Sequence, residues 1–176
     1  MRALYLRMPA VATLVLAVGA GYLIGGIRSA LVVCALTLFI AFSPWWDRAL
    51  VTLYMATFGV VISCLIGFTV GTLCFQNKKS AAFMLGICDI FQTFPSFVYL
   101  IPVMMLFGIT DTSVLIAVVV YATIPATRYT IEGLRSVPVG LHEAATMSGV
   151  NKFQRLTKIE FPLAFPHMML GLNQTI

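Results

Sequence analysis

Glu143-Ala144-Ala145, then Gly149, then Ile159-Glu160-Phe161-Pro162 form the one long polar island in an otherwise apolar chain. Three residues separate Ala145 from Gly149, and nine separate Gly149 from Ile159. Two alanines and a glycine at these intervals offer a surface that another backbone can approach closely. Lys152, Arg155 and Lys158 keep the second half wetted. That is the chemistry of docking, or of an amphipathic loop lying on the lipid surface, with no group placed to make or break a bond.

Few other residues are candidates for chemistry. Asp89 lies inside an apolar run, where an acid is expensive and by default a functional candidate facing the bundle interior. It reads either as half of a structural ion pair, with Arg128 or beside Gln92 as partner, or as part of a pathway. Phe91, Phe94, Phe97 and Tyr99 surround Pro95, and aromatic faces can hold a quaternary cation, although aromatics in a membrane helix also simply pack. Phe94, Phe97, Tyr99 and Asp89 are therefore the pathway candidates. Cys34, Cys64, Cys74 and Cys88 fall singly in apolar runs and His142 and His167 are isolated, so no metal site is expected. No Gly-x-x-x-x-Gly-Lys-Ser/Thr phosphate loop occurs.

The elements that must carry these residues are membrane helices. With 60% hydrophobic and 10% charged residues and a mean hydropathy of +0.99, the chain lacks the polar surface of a soluble globule. Its 176 residues hold five or six crossings at roughly 20 residues each. The net charge of +5 is dispersed between apolar runs, the pattern of positive-inside loops, which argues against nucleic-acid binding.

Taken in order, Met8 to Ile24 and Ser29 to Phe42 form a hairpin turned at Gly25-Gly26. The start has the form of a signal peptide, but the second apolar segment follows almost at once, which favours a retained anchor. Trp45-Trp46 beside Asp47-Arg48 read as an interfacial anchor or as packing indoles. Ala49 to Phe75 is uncharged, and its Gly67-to-Gly71 spacing allows close approach of another helix. Lys78-Lys79 closes it on the cytoplasmic side. Ala81 to Gly108 must kink, and Pro95 and Pro102 mark where. Thr110-Asp111-Thr112 turns outside, and Ser113 to Thr127 returns, loosened at Pro125. Crossing counts place Lys78-Lys79 and the island on one side, both basic and hence cytoplasmic; the same count puts Arg2 and Arg7 outside, against the rule.

Inside the island, Ser136 caps and Pro138 opens a first helix through Leu141 to Ser148, ended by a left-handed Gly149. Asn151 and Gln154 form a capping box for a second helix that runs to the breaker Pro162. The expected domains are a hairpin and break over 1–48 and a core over 49–176, with the docking hairpin at 136–161.

Glu143-Ala144-Ala145, Gly149, Ile159 and Phe161-Pro162 resemble the Glu-Ala-Ala loop of ABC-importer permeases, with Phe161 where leucine is usual. The run from Gln92 to Pro102, Met105-Leu106-Phe107-Gly108 and the final Gly171 to Ile176 are similar to the glycine betaine/proline betaine permeases. The resemblance covers Trp45 to Ile176. It implies an all-α integral membrane bundle of the ABC permease type in the bacterial inner membrane, with a cytoplasmic helix-turn-helix coupling loop. It also implies two further helices after Ile176, so this chain is expected to be truncated.

Glu143, Ala144, Ala145, Gly149, Ile159 and Pro162 are by that resemblance the ATPase-coupling residues. Glu143 either meets a basic group on the partner or stabilises its own helix. The implied partners are a cytoplasmic ABC ATPase that binds the ATP, a second permease copy, an extracytoplasmic substrate-binding protein and membrane lipid. The chain itself is expected to be no enzyme and to need no cofactor. A gradient-driven transporter, a channel-like protein and a non-transporting fragment are the alternatives.

Overall fold

The computed structural model describes residues 10–175; Arg2, Arg7 and Ile176 lie outside the described residues. Every regular element among the described residues is helical: α1 (Ala10–Ala41), α2 (Trp46–Phe75), α3 (Lys78–Thr93), α4 (Phe97–Phe107), α5 (Asp111–Arg135), α6 (Val139–Met147), α7 (Lys152–Arg155), a π turn (Leu156–Glu160) and α8 (Phe161–Thr175). The chain divides into two compact units, one ending at Thr57 and the other beginning at Phe58.

In the first unit α1 is not a single rod. Gly25 (φ −136°) and Gly26 (φ +67°) leave helical geometry, the latter entering a region that glycine reaches at little cost. The chain folds back there. A methyl group at Gly21 would lie 3.1 Å from Val33 Cγ2, whereas a straight helix would hold these positions about 18 Å apart. Beyond Pro44, the Arg48 guanidinium lies 4.9 Å from the Trp45 ring centre, so that indole is engaged by a charge.

In the second unit the glycine pair of α2 does what its spacing predicts. A methyl group at Gly67 would come 2.5 Å from Ala126 Cβ, and one at Gly71 2.6 Å from Thr130 Cβ, so only glycine lets α2 lie this close to α5. Ser63 Oγ adds a bond across the same seam, donating to Val119 O at 3.2 Å. On its other side α5 makes its most extensive contact with α8. Leu134, Ala164 and Met168 are buried there, with Phe68, Phe75, Leu156 and Phe161 around them. The cysteines are unpaired, with Cys64 and Cys88 buried, as small apolar residues are.

Two described helices, α2 and α5, are continuous, long and apolar enough to cross a membrane; α1 reaches such a length only when counted through its turn at Gly25-Gly26, and α3 with α4 form a further pair bent by 86°. The expected five or six crossings also count each arm of α1 and the segment after Pro162; that segment, α8, has 15 described residues, short of a crossing length. The bend falls at Pro95, as expected. Pro102 and Pro125 lie inside α4 and α5 without ending them. Pro125 is buried, and packing holds α5 helical through to Arg135, past the expected end near Thr127.

Candidate functional site

The island folds as two short helices around a tight turn, with its signals partly redistributed. Ser136 closes α5 instead of opening α6: its N–H donates to Glu132 O at 2.9 Å and its Oγ to Gly133 O at 2.7 Å. A serine has only one side chain to spend, and the carbonyls ending α5 take it. Pro138 is the residue before α6 and makes no side-chain cap.

The far end of α6 is fully satisfied. Gly149 N–H donates to Thr146 O and Val150 N–H to Ala145 O, both at 3.1 Å. These are the paired 5→2 and 6→1 bonds of a Schellman cap, which needs a left-handed residue between them. Gly149 supplies it at φ +70°, and nothing described crowds its α-carbon. Its role is conformational, and among the described residues close contact is not what requires glycine.

Asn151 then opens α7 with the expected capping box: Asn151 Oδ1 accepts from Gln154 N–H at 2.8 Å, and Gln154 Oε1 accepts from Asn151 N–H at 3.2 Å. The expected break at Pro162 does not occur. A proline lacks an N–H and crowds the carbonyl four residues back. Here the preceding residues widen into a π turn, with Phe161 N–H reaching Leu156 O, and Pro162 sits in the first turn of α8. The turn absorbs the misfit and the helix continues.

Between α6 and the root of α8 runs an open groove of about 520 Å³, with Ala144, Ala145 and Ser148 on one wall and Ile159, Pro162 and Leu163 on the other. Four of the six expected coupling residues thus share one surface: Ala144, Ala145, Ile159 and Pro162. Gly149 sets the turn at its end. Glu143 is exposed on α6 beyond the first turn, where the helix dipole has little hold, and it forms no ion pair among the described residues. Met147 beside it is 91% exposed.

Sequence reasoning passes over Glu160. It is 2% exposed, the one charged side chain buried among the described residues. Its Oε1 lies 3.0 Å from His142 Nδ1 and 2.9 Å from Arg155 Nε, so His142 is not isolated as expected. Neighbours three or four apart share a helix face, and five apart do not; the i→i+5 geometry of the π turn brings Arg155 and Glu160 together. The only sequence signal is an acid wedged between Ile159 and Phe161.

The four pathway candidates go to four separate settings. Asp89 pairs with Arg128 across α3 and α5, and Arg128 also donates to Gln92 Oε1 at 2.9 Å and to Glu132 Oε1 at 3.0 Å. Tyr99 is buried; its hydroxyl donates to Phe91 O, and its ring lies 5.8 Å from those of Phe91 and Tyr121. Phe97 lines a cavity of about 340 Å³ with Tyr121 and Gln174, whereas Phe94 is exposed at the bend.

The two basic turns also meet. Arg135 Nη2 donates to Lys78 O at 3.2 Å, and Phe75 and Gln76 line a pocket with His142 and Glu160. Lys78-Lys79 and the hairpin therefore stand at one end of the second unit, in agreement with the charge count.

Residues 59–176 match the family model described as the binding-protein-dependent transport system inner membrane component. Over all 176 residues the chain is 87% identical to the trimethylamine N-oxide transport system permease protein TmoV of Pelagibacter ubique, covering 24% of that protein, and 43% identical to TmoV of Ruegeria pomeroyi, covering 27%. Over 131 residues, 74% of the chain and 37% of the relative, it is 36% identical to the glycine betaine/proline betaine permease ProW of Escherichia coli. The chain thus spans about a quarter of the length of the TmoV relatives. With its apolar helices and this match, the chain belongs to the inner membrane components of binding-protein-dependent transport systems, as a multi-pass permease of the bacterial inner membrane.

Proposed function

We propose that this chain supplies the part of an ATP-driven importer where a cytoplasmic ATPase takes hold, in a permease for quaternary-ammonium osmolytes and similar small solutes with a fully substituted nitrogen. The observation that carries the reading is the groove between α6 and the root of α8, walled by Ala144, Ala145, Ile159 and Pro162 and bordered by the exposed Met147. α6, which forms one wall of it, seats in a groove of the ATPase, and Glu143 stands free to meet a basic group there. The chain does no ATP chemistry; its partner binds and hydrolyses the nucleotide. An extracytoplasmic binding protein and a second permease copy complete the assembly.

The names of the relatives support the substrate class: two are trimethylamine N-oxide permeases and one serves glycine betaine and proline betaine. We take trimethylamine N-oxide as the first substrate to try. Against a gradient-driven transporter stands Asp89, the embedded acid, which is paired with Arg128. Gradient-driven transporters mark their ion pathways with chains of embedded charges, and one acid is thin support for such a pathway.

The test is co-purification of the intact permease with its ATPase, together with uptake in membrane vesicles. Changing Glu143→Arg with Gly149→Val is expected to abolish both. A permease that holds no ATPase with its hairpin intact, or that loses nothing on these changes, would overturn the reading.

A further inference from the structure

The groove face of α6 and its neighbouring face are held by different forces. Leu141, Ala144, Ala145 and Ser148 line the groove, while His142, one position along, turns toward the buried Glu160. One carboxylate oxygen therefore joins three places: α6 through His142, the end of α7 through Arg155, and the root of α8 through its own backbone. It is the charged tie between α6 and the chain beyond Gly149, whose turn itself relies on two backbone bonds and a glycine. From Glu160 onward the chain is rigidly placed: a methyl group at Gly133 of α5 would lie 2.9 Å from His167 Cβ, and Ala164 is fully buried beside Leu134.

We propose that Glu160 is a positioning residue for energy coupling, a latch that fixes α6 to the root of α8 so that displacement of α6 is carried into α8 and α5 and not absorbed at Gly149. The inference rests on the reading of the hairpin as the ATPase contact. A buried charge held by two partners suits a latch because the partners cannot separate without stranding a charge away from water, so the joint resists small strains and fails as a unit. The π turn is part of the device, because it alone aligns Arg155 with Glu160.

The test uses the intact permease assembled with its ATPase in proteoliposomes, with three readouts: ATPase retained, ATP hydrolysed, and solute imported per ATP, using trimethylamine N-oxide as probe. Glu160→Ala is expected to retain the ATPase and to lower import per ATP by up to about 100-fold, the loss that a misplacement of about 1 Å can produce. Glu160→Gln, which keeps the shape and one hydrogen bond, guards against a folding failure and is expected to fall between Glu160→Ala and the unmodified protein. His142→Gln, which leaves Arg155 in place, should do the same. Unchanged import per ATP in both Glu160 variants overturns the latch, and so does loss of ATPase binding in Glu160→Gln, which would make Glu160 a support of the docking surface alone. Failure of the unmodified permease to retain any ATPase would instead overturn the hairpin reading, and the first readout registers that separately.

Discussion

The second unit interrupts its helices in two contrasting ways. At the hairpin the backbone around Gly149 and Asn151 is tied locally, by a Schellman cap followed by a capping box. At Pro95 no side chain caps either helix end: Phe94 N–H reaches Phe91 O at 3.4 Å, Val98 N–H donates to Pro95 O at 3.0 Å, and Ser96 makes no side-chain cap. What holds α3 and α4 at their bend is packing: Tyr99 of α4 donates to Phe91 O of α3 and stacks on its ring, and α5 adds Arg128 on Asp89 and Tyr121 beside Tyr99. In water a turn is fixed by its own sequence; within an apolar bundle it is fixed by what it packs against.

If that contrast is right, the largest effect should come from a residue far from either break in sequence. Arg128→Met leaves Asp89 and Glu132 without their shared partner, and we expect a loss of about 2–3 kcal/mol, the scale of an unpaired acid in a membrane helix. Thermal unfolding in detergent measures it; a loss of a few tenths would show that the bend holds itself. Next is Gly149→Val, which forces a β-branched residue to φ +70° at a cost of about 1–2 kcal/mol. Its effect should stay within the hairpin, seen as faster amide exchange over 139–160 with the α2–α5 seam unchanged.

Asn151→Ala removes one half of the capping box and should cost about 1 kcal/mol, again confined to α7 and the π turn by exchange. Spread of that effect into α3 or α4 would break the distinction. The smallest change is Tyr99→Phe, which removes the hydroxyl donating to Phe91 O while keeping the ring stack; about 0.6 kcal/mol is expected, the mean for a side-chain bond inside a membrane bundle. Tyr99→Ala, which removes the stack as well, should cost clearly more.

The same division explains what is legible in the sequence. Asn151 with Gln154, and Gly149 before them, can be read because caps are local. Gly67 and Gly71 can be read because small residues four apart have one main use in an apolar helix. Asp89 with Arg128 can be paired on cost alone, since an acid in lipid needs a cation. Ser136 misleads because it follows one helix as closely as it precedes another, and which end it serves depends on where α5 stops. Pro162 looks like a stop, and Glu160 draws no notice, for one shared reason: the π turn changes which positions face each other, and no rule of three or four residues anticipates it.

The bend at Pro95 has a consequence for the surroundings of the protein. If α3 starts at the cytoplasmic surface near Lys78, its 16 residues rise about 24 Å, inside the roughly 30 Å of hydrocarbon. Phe94, Pro95 and Ser96 are thus non-helical backbone at membrane depth, and all three are exposed on this chain. Hydrocarbon offers no donor or acceptor to such a stretch, and irregular backbone persists at that depth only against protein or a water-filled space. The outer side of residues 94–96 is therefore not a lipid boundary: a wet vestibule or another polypeptide must stand against it.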